Sequence, residues 1–153
     1  MEEETLRSLA LLGFGVLFGA LWVALLRVVA RVGGWRELAA PYPPLGIAGA
    51  GLGETFRMRS LQLRRGMNDN HCVTITAGPT ALRLALPRIF AWSHPPIEVP
   101  WSEITTEAGR AWLVPIVTLH CTREPAVPVR LPRGLARRLA RASGGQLRLP
   151  AEG

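Results

Sequence analysis

Lysine is absent from this chain, and all 18 basic residues are arginine. That excludes Schiff-base chemistry and a Walker-type phosphate loop, both of which need a lysine amine. It also changes how the chain meets anions, because a guanidinium grips phosphate or carboxylate with a planar fork where an ammonium is a point charge. Cysteine is scarce: Cys72 and Cys121 are too few for a disulfide scaffold. A bridge between them is expected only if the surrounding domain lies outside the cytoplasm. Aspartate occurs once, as Asp69 within Gly66-Met67-Asn68-Asp69-Asn70, where its ordinary work is to bond the backbone of a turn. With one aspartate, three histidines and no G-x-S-x-G element, a Ser-His-Asp triad has little to be built from.

Two pairs, His71-Cys72 and His120-Cys121, have the residue types of a zinc site. Neighbours on a strand point to opposite faces, so one pair does not readily deliver both side chains to one ion. Two small buried cysteines and two peripheral histidines are expected instead. His94 stands before Pro95-Pro96 and reads as structural. Glu98, Glu103 and Glu107 offer carboxylates, but nothing marks a cleft around them. The run GAGLG at 49–53 has G-x-G-x-G spacing, not the G-x-G-x-x-G of a dinucleotide site between strand and helix. Trp92, Trp101 and Trp112 are expected in the core and not in a ligand cage. No catalytic residue, cofactor or metal is expected.

Against these absences stands one long uncharged run, residues 8–26, SLALLGFGVLFGALWVALL. At about 1.5 Å per residue it spans roughly 28 Å, close to the ~30 Å of a bilayer's hydrocarbon core. The preceding Glu2-Glu3-Glu4 is acidic where a signal peptide is basic, and no small-x-small cleavage site follows, so an uncleaved anchor is expected. Arg7 alone precedes the run, whereas Arg27, Arg31 and Arg36 follow it. By the positive-inside rule the N-terminus lies outside and the C-terminal domain in the cytoplasm. Gly15 and Gly19, then Ala20 and Ala24, keep a small-xxx-small spacing that lets another membrane helix approach, from a second copy or a partner.

The chain divides into a tail and membrane helix at 1–34, the helix running to about 32; a Pro/Gly-rich connector at 35–53; a β domain at 54–145; and a tail at 146–153. Past Glu54 the apolar period becomes two, and its phase slips from Phe56 and Met58 to Leu61 and Leu63, which predicts a bulge near Ser60. Further strands are predicted at 71–77, around Leu82, Leu84 and Leu86, around Ile97, Val99 and Trp101, at 112–119 as a deeply buried strand, and around Val127, Val129 and Leu131. A helix is predicted over 132–142, with Leu135 and Leu139 on one face, Arg133, Arg137 and Arg141 on a stripe about opposite, Arg138 beside it, and Gly144-Gly145 as the stop. Leu82, Leu84, Ile97, Val99, Val114, Val117, Leu135 and Leu139 should share one core.

Six strands and then one amphipathic helix resemble the pleckstrin-homology-like (PH-like) domains of uncharacterised single-pass bacterial membrane proteins. Gly34-Trp35 with Leu38-Ala39 and Tyr42, Leu82-Arg83-Leu84, and His94-Pro95-Pro96-Ile97-Glu98-Val99-Pro100-Trp101 resemble stretches of those proteins. The resemblance implies one N-terminal transmembrane helix and a curled β-sandwich or partly open barrel with a C-terminal helix. It also implies a binding or scaffolding role at the bacterial inner membrane. Phosphoinositide recognition of the eukaryotic kind is not implied, because Arg57, Arg59, Arg64 and Arg65 all precede the first turn and the second strand has no arginine. With a net charge of +7, an acidic partner fits. A protein partner is the expectation, anionic lipid met through Arg133, Arg137, Arg138 and Arg141 the alternative, and nucleic acid is not expected.

Overall fold

The computed structural model of the chain describes residues 2–44, 53–63 and 68–151, with the side chains of 68–71 outside that description. The first turn and its flanking Arg64 and Arg65, and most of the GAGLG run, fall outside the described residues.

Helix α1 runs over Glu2–Val32, about 46 Å at 1.5 Å per residue. It is the one described helix long and apolar enough to cross a membrane, and none of its most apolar stretch is buried against the rest of the chain. Its last turns behave differently. Leu26, Val29 and Gly33 are partly covered and Ala30 is fully buried, the i, i+3, i+4, i+7 stripe of a docked helix face. Gly34, at φ 81°, supplies the left-handed residue that breaks the helix.

Immediately after Gly34 the chain is still tied down. Helix α2, Trp35–Ala39, buries Trp35 and Leu38, and Tyr42 follows them into the core. The stretch from 35 to 44, expected as loose connector, is thus a wedge between α1 and the β domain. The indole N–H of Trp35 donates to the Pro95 carbonyl at 2.9 Å, and the Tyr42 carbonyl accepts the Glu98 N–H at 3.3 Å.

The β domain is one antiparallel sheet of seven strands: β1 Glu54–Gln62, β2 Asn68–Ala77, β3 Ala81–Ala85, β4 Ile97–Pro100, β5 Ile104–Ala111, β6 Val114–Cys121 and β7 Glu124–Pro132. Their order is β4-β3-β2-β1-β7-β6-β5. The link between β1 and β7 is a single register pair, Gln62 with Arg130, and the end strands β4 and β5 do not pair with each other, so the curl stays partly open. The bulge is where the phase slip put it: the β1–β2 register shifts on both sides of Arg59, and Met58 sits at φ 54°.

Helix α3, Arg133–Ala142, packs Leu135, Ala136 and Leu139 against β6 and β7. It ends in a Schellman turn: the Gly145 N–H returns to the Ala140 carbonyl and the Gly144 N–H to that of Arg141, with Gly144 at φ 66°.

Seven of the eight expected core residues are buried together. Val114 is the correction, being 55% exposed. The buried strand expected from residue 112 instead starts at Val114, and only its second half, from Val117, enters the core. Residues 112 and 113 form the tip of the β5–β6 hairpin. Strand β5 lies where the sequence pattern predicts no strand.

Candidate functional site

The described surface carries an apolar hairpin tip, an arginine-bearing helix face and an ion-paired latch.

At the tip, Ala111 pairs with Val114, so Trp112 and Leu113 are the two central residues of a tight turn. Trp112 has φ 56° and Leu113 does not share the positive sign, the pattern of a type II′ turn, whose first central residue is normally glycine. Trp112 is 97% exposed and Leu113 89%. A tryptophan at a glycine position costs about 1–2 kcal/mol in backbone strain. Leaving the two side chains in water forgoes about 1.5–3 kcal/mol each that burial would supply. Both costs fall at one spot. Trp112 therefore lies in neither the expected core nor an aromatic cage. Of the other two tryptophans expected in the core, Trp101 is buried with its N–H on the Gly78 carbonyl, while Trp92 is half-exposed.

Shallow recesses adjoin the tip. One is lined by Ser60, Leu61, Gln62, Ala111, Ile116 and Pro132; a second shares Ser60 and Pro132 with it and reaches Met58, Gly134 and Arg138. The β1 bulge, the base of the hairpin and the start of α3 thus form one continuous surface. Beside it, β5 is an end strand paired only with β6. Its first half is partly covered where Thr106 Oγ1 donates to the Arg148 carbonyl, and Leu147 anchors that tail by burial.

The four arginines singled out on α3 divide. Arg137, Arg138 and Arg141 are exposed and Arg133 is half-buried. Arg138 lies over the Phe56 ring at 5.6 Å, so the arginine beside the stripe is turned towards the domain's own surface. Gly15, Gly19, Ala20 and Ala24 are all exposed on α1, and beyond the helix's own neighbouring backbone no described atom lies within 4 Å of where a Cβ on either glycine would stand.

The latch joins the β6–β7 turn to the wedge. The Arg123 N–H donates to the Tyr42 hydroxyl at 2.9 Å, its Nη1 to the Pro41 carbonyl at 3.2 Å, and its Nη2 to Glu103 Oε1 at 2.6 Å. The hydrogen bond from Arg123 holds the Glu103 carboxyl below its usual range, and Glu103 in turn raises the Arg123 guanidinium. Burial is the main cause that pushes Tyr42 up to about 12. Burial, with the charge of Glu103, likewise pushes the Cys121 thiol up to about 12, so it stays protonated and unreactive.

Cys72 and Cys121 are free thiols. The side chain of His71 lies outside the described residues. His120 faces away from buried Cys121 and meets Glu107 at 3.0 Å on the surface. Among the described residues, no three of His, Cys, Asp and Glu converge as a metal site would require. His94 is buried, its Nδ1 2.8 Å from the Ser93 hydroxyl and its ring edge-on to Trp35.

Compared with family models, with curated proteins and with solved structures, the chain matches none.

Proposed function

We propose that the protein is a membrane-tethered, non-catalytic module of PH-like architecture that docks a protein partner at the cytoplasmic face of the inner membrane. The observation that carries this reading is the hairpin tip, where a strained, water-exposed Trp112 beside Leu113 gives the folded domain nothing. Strain and exposed apolar surface held together at one turn mark a site whose gain is made elsewhere. A partner that covered both side chains would gain about 3–6 kcal/mol from their burial.

The order of the seven strands and the lone C-terminal helix support the PH-like part of the proposal. The apolar surface of α1 supports the tether, and the arginines that follow it support the orientation. Strand β5 leads from Ile104, beside the latch, to Ala111 at the tip, roughly 24 Å at ~3.4 Å per residue. The tip therefore lies at the end of the sheet away from the wedge, which favours a protein over the bilayer as its partner. Along α1, the Gly15–Gly19 and Ala20–Ala24 spacing offers a second contact to the same partner or to another copy. Lipid binding through Arg133, Arg137, Arg138 and Arg141 is the lesser reading, because Arg133 is half-buried and Arg138 lies over the Phe56 ring, so the four do not present one open face.

Trp112→Gly separates folding from binding. Glycine relaxes the turn, so the melting temperature should hold or rise, while co-purification of the partner from solubilised native membranes should fall at least about tenfold, the equivalent of ~1.4 kcal/mol. Unchanged co-purification from a well-folded Trp112→Gly protein would remove the tip from the interface.

A further inference from the structure

At the point where α1 leaves its uncharged run, the fold brings back a loop from the middle of the β domain. Between β3 and β4, a 3-10 turn at Arg88–Phe90 leaves Ile89 72% exposed, and Trp92 follows it at 48%. The Trp92 N–H donates to the Ile89 carbonyl at 2.9 Å, which fixes the ring in place. The guanidinium of Arg27 lies over that ring, 5.7 Å from its centroid. Arg27, Arg31 and Arg36 then line one recess of about 310 Å³ with Trp92, Ser93 and Pro95, and no carboxylate is among its lining residues.

We infer that this recess is a headgroup site for an anionic phospholipid, with the β3–β4 loop as a second interfacial anchor. The inference rests on the reading that α1 spans the bilayer. Arg27 is the residue next to the uncharged run, so on that reading its side chain stands at the edge of the hydrocarbon core, and Trp92, whose ring lies 5.7 Å from it, stands at about the same depth. An indole at that level occupies the layer where tryptophans concentrate at membrane–water interfaces, and Ile89 beside it reaches towards the acyl chains. Arg27 and Arg31 are one helical turn apart on the same face, and Arg36 comes from α2. Three guanidinium groups around one recess repel one another unless an anion joins them, and a phosphodiester accepts their forked N–H groups. The cation–π contact of Arg27 with Trp92, at 5.7 Å, needs no guanidinium N–H, so a phosphate can accept those groups. Together with the anchor, the loop gives the domain two contacts with the bilayer plane, which fixes its tilt and holds the hairpin tip at a set height.

The test uses the full chain in nanodiscs of phosphatidylcholine containing a minor share of phosphatidylglycerol, released gently and weighed by native mass spectrometry. Wild-type protein should keep phosphatidylglycerol in preference to phosphatidylcholine. Replacing Arg27, Arg31 and Arg36 together with glutamine, in protein whose domain is shown by protease accessibility to lie on the same side of the native membrane as the wild type's, should cut that retention by roughly fivefold per arginine, the equivalent of ~1 kcal/mol for each near an anionic surface. Replacing Arg133, Arg137, Arg138 and Arg141 with glutamine should leave it unchanged, and Trp92→Ala should lower it without unfolding the domain. Equal retention of both lipids, an undiminished signal from the Arg27, Arg31 and Arg36 variant, or loss from the α3 variant instead would overturn the site. Displacement of the lipid by added inorganic phosphate would make it a free-phosphate pocket and overturn the lipid assignment. Extraction of wild-type protein from membranes by alkaline carbonate would show that α1 is no span, and the inference would fall with that reading; integral protein without lipid preference defeats the inference alone.

Discussion

Single residues decide how the wedge and the sheet are held. Gly53 is a clear case: a Cβ there would stand 1.7 Å from the Ala77 carbonyl oxygen, deeper than any contact tolerates. Gly53→Ala should therefore destabilise the domain by about 1–3 kcal/mol through forced backbone movement, read as a lower denaturation midpoint. Glycine there serves close approach, a role that the reading of residues 35–53 as a connector could not distinguish from flexibility. His94 makes a second case. Burial lowers its pKa below the ordinary 6.5, so the folded state binds its proton less readily than the unfolded chain does. Stability from the neutral ring is fully present above about pH 6.5 and is lost as pH falls from there towards the folded value, at no more than ~1.4 kcal/mol per pH unit. Melting temperature should accordingly fall between pH 7 and pH 5, and the fall should be smaller in His94→Gln. An equal fall in both proteins would show that His94 is not its source, since the contribution of a carboxyl held low, such as Glu103, is lost only below about pH 4.5.

At the scale of elements, legibility followed the strength of the pattern. Helix α1 could be read from its uncharged run, the β1 bulge from a phase slip, and α3 from leucines four apart followed by paired glycines. Strand β5 was hidden because Ile104–Ala111 sets one isoleucine among threonines, alanine, glycine and charge, so no apolar alternation survives. Its neighbour misled in the opposite sense. Trp112, Leu113 and Val114 look like the start of a buried strand, and no Gly, Asn or Pro announces the turn that exposes them. The arginine face of α3 was legible from spacing, although its partial use against Phe56 was not. Helix α2 had a usable signal in Trp35, Leu38 and Tyr42, at i, i+3 and i+7, which Pro41, Pro43 and Pro44 obscured. For α3, burial of Leu135 and Leu139 contributes about 3–6 kcal/mol, a large share of a small domain's ~5–15 kcal/mol. Truncation before Arg133 should expose β6 and β7 and yield aggregation or rapid proteolysis. A truncated protein with the wild-type melting temperature would show that α3 does not plug the curl.

The whole molecule joins an apolar helix, a wedge packed between that helix and the β domain, and a strained apolar tip at the far end of the sheet. A C-terminal reporter that works only in the cytoplasm should be active, and activity solely of a reporter confined to the other side would reverse the orientation and reopen a Cys72–Cys121 bridge. The central claim is that the tip meets a protein. Photo-crosslinking in intact native membranes tests it most directly, with a benzophenone side chain placed at position 112 and, for comparison, at position 141 of the full-length chain. The account predicts one dominant protein adduct from position 112, absent from position 141 and lost when Leu113 is replaced by aspartate. Adducts to lipid alone from position 112, or the same protein adduct from both positions, would contradict it.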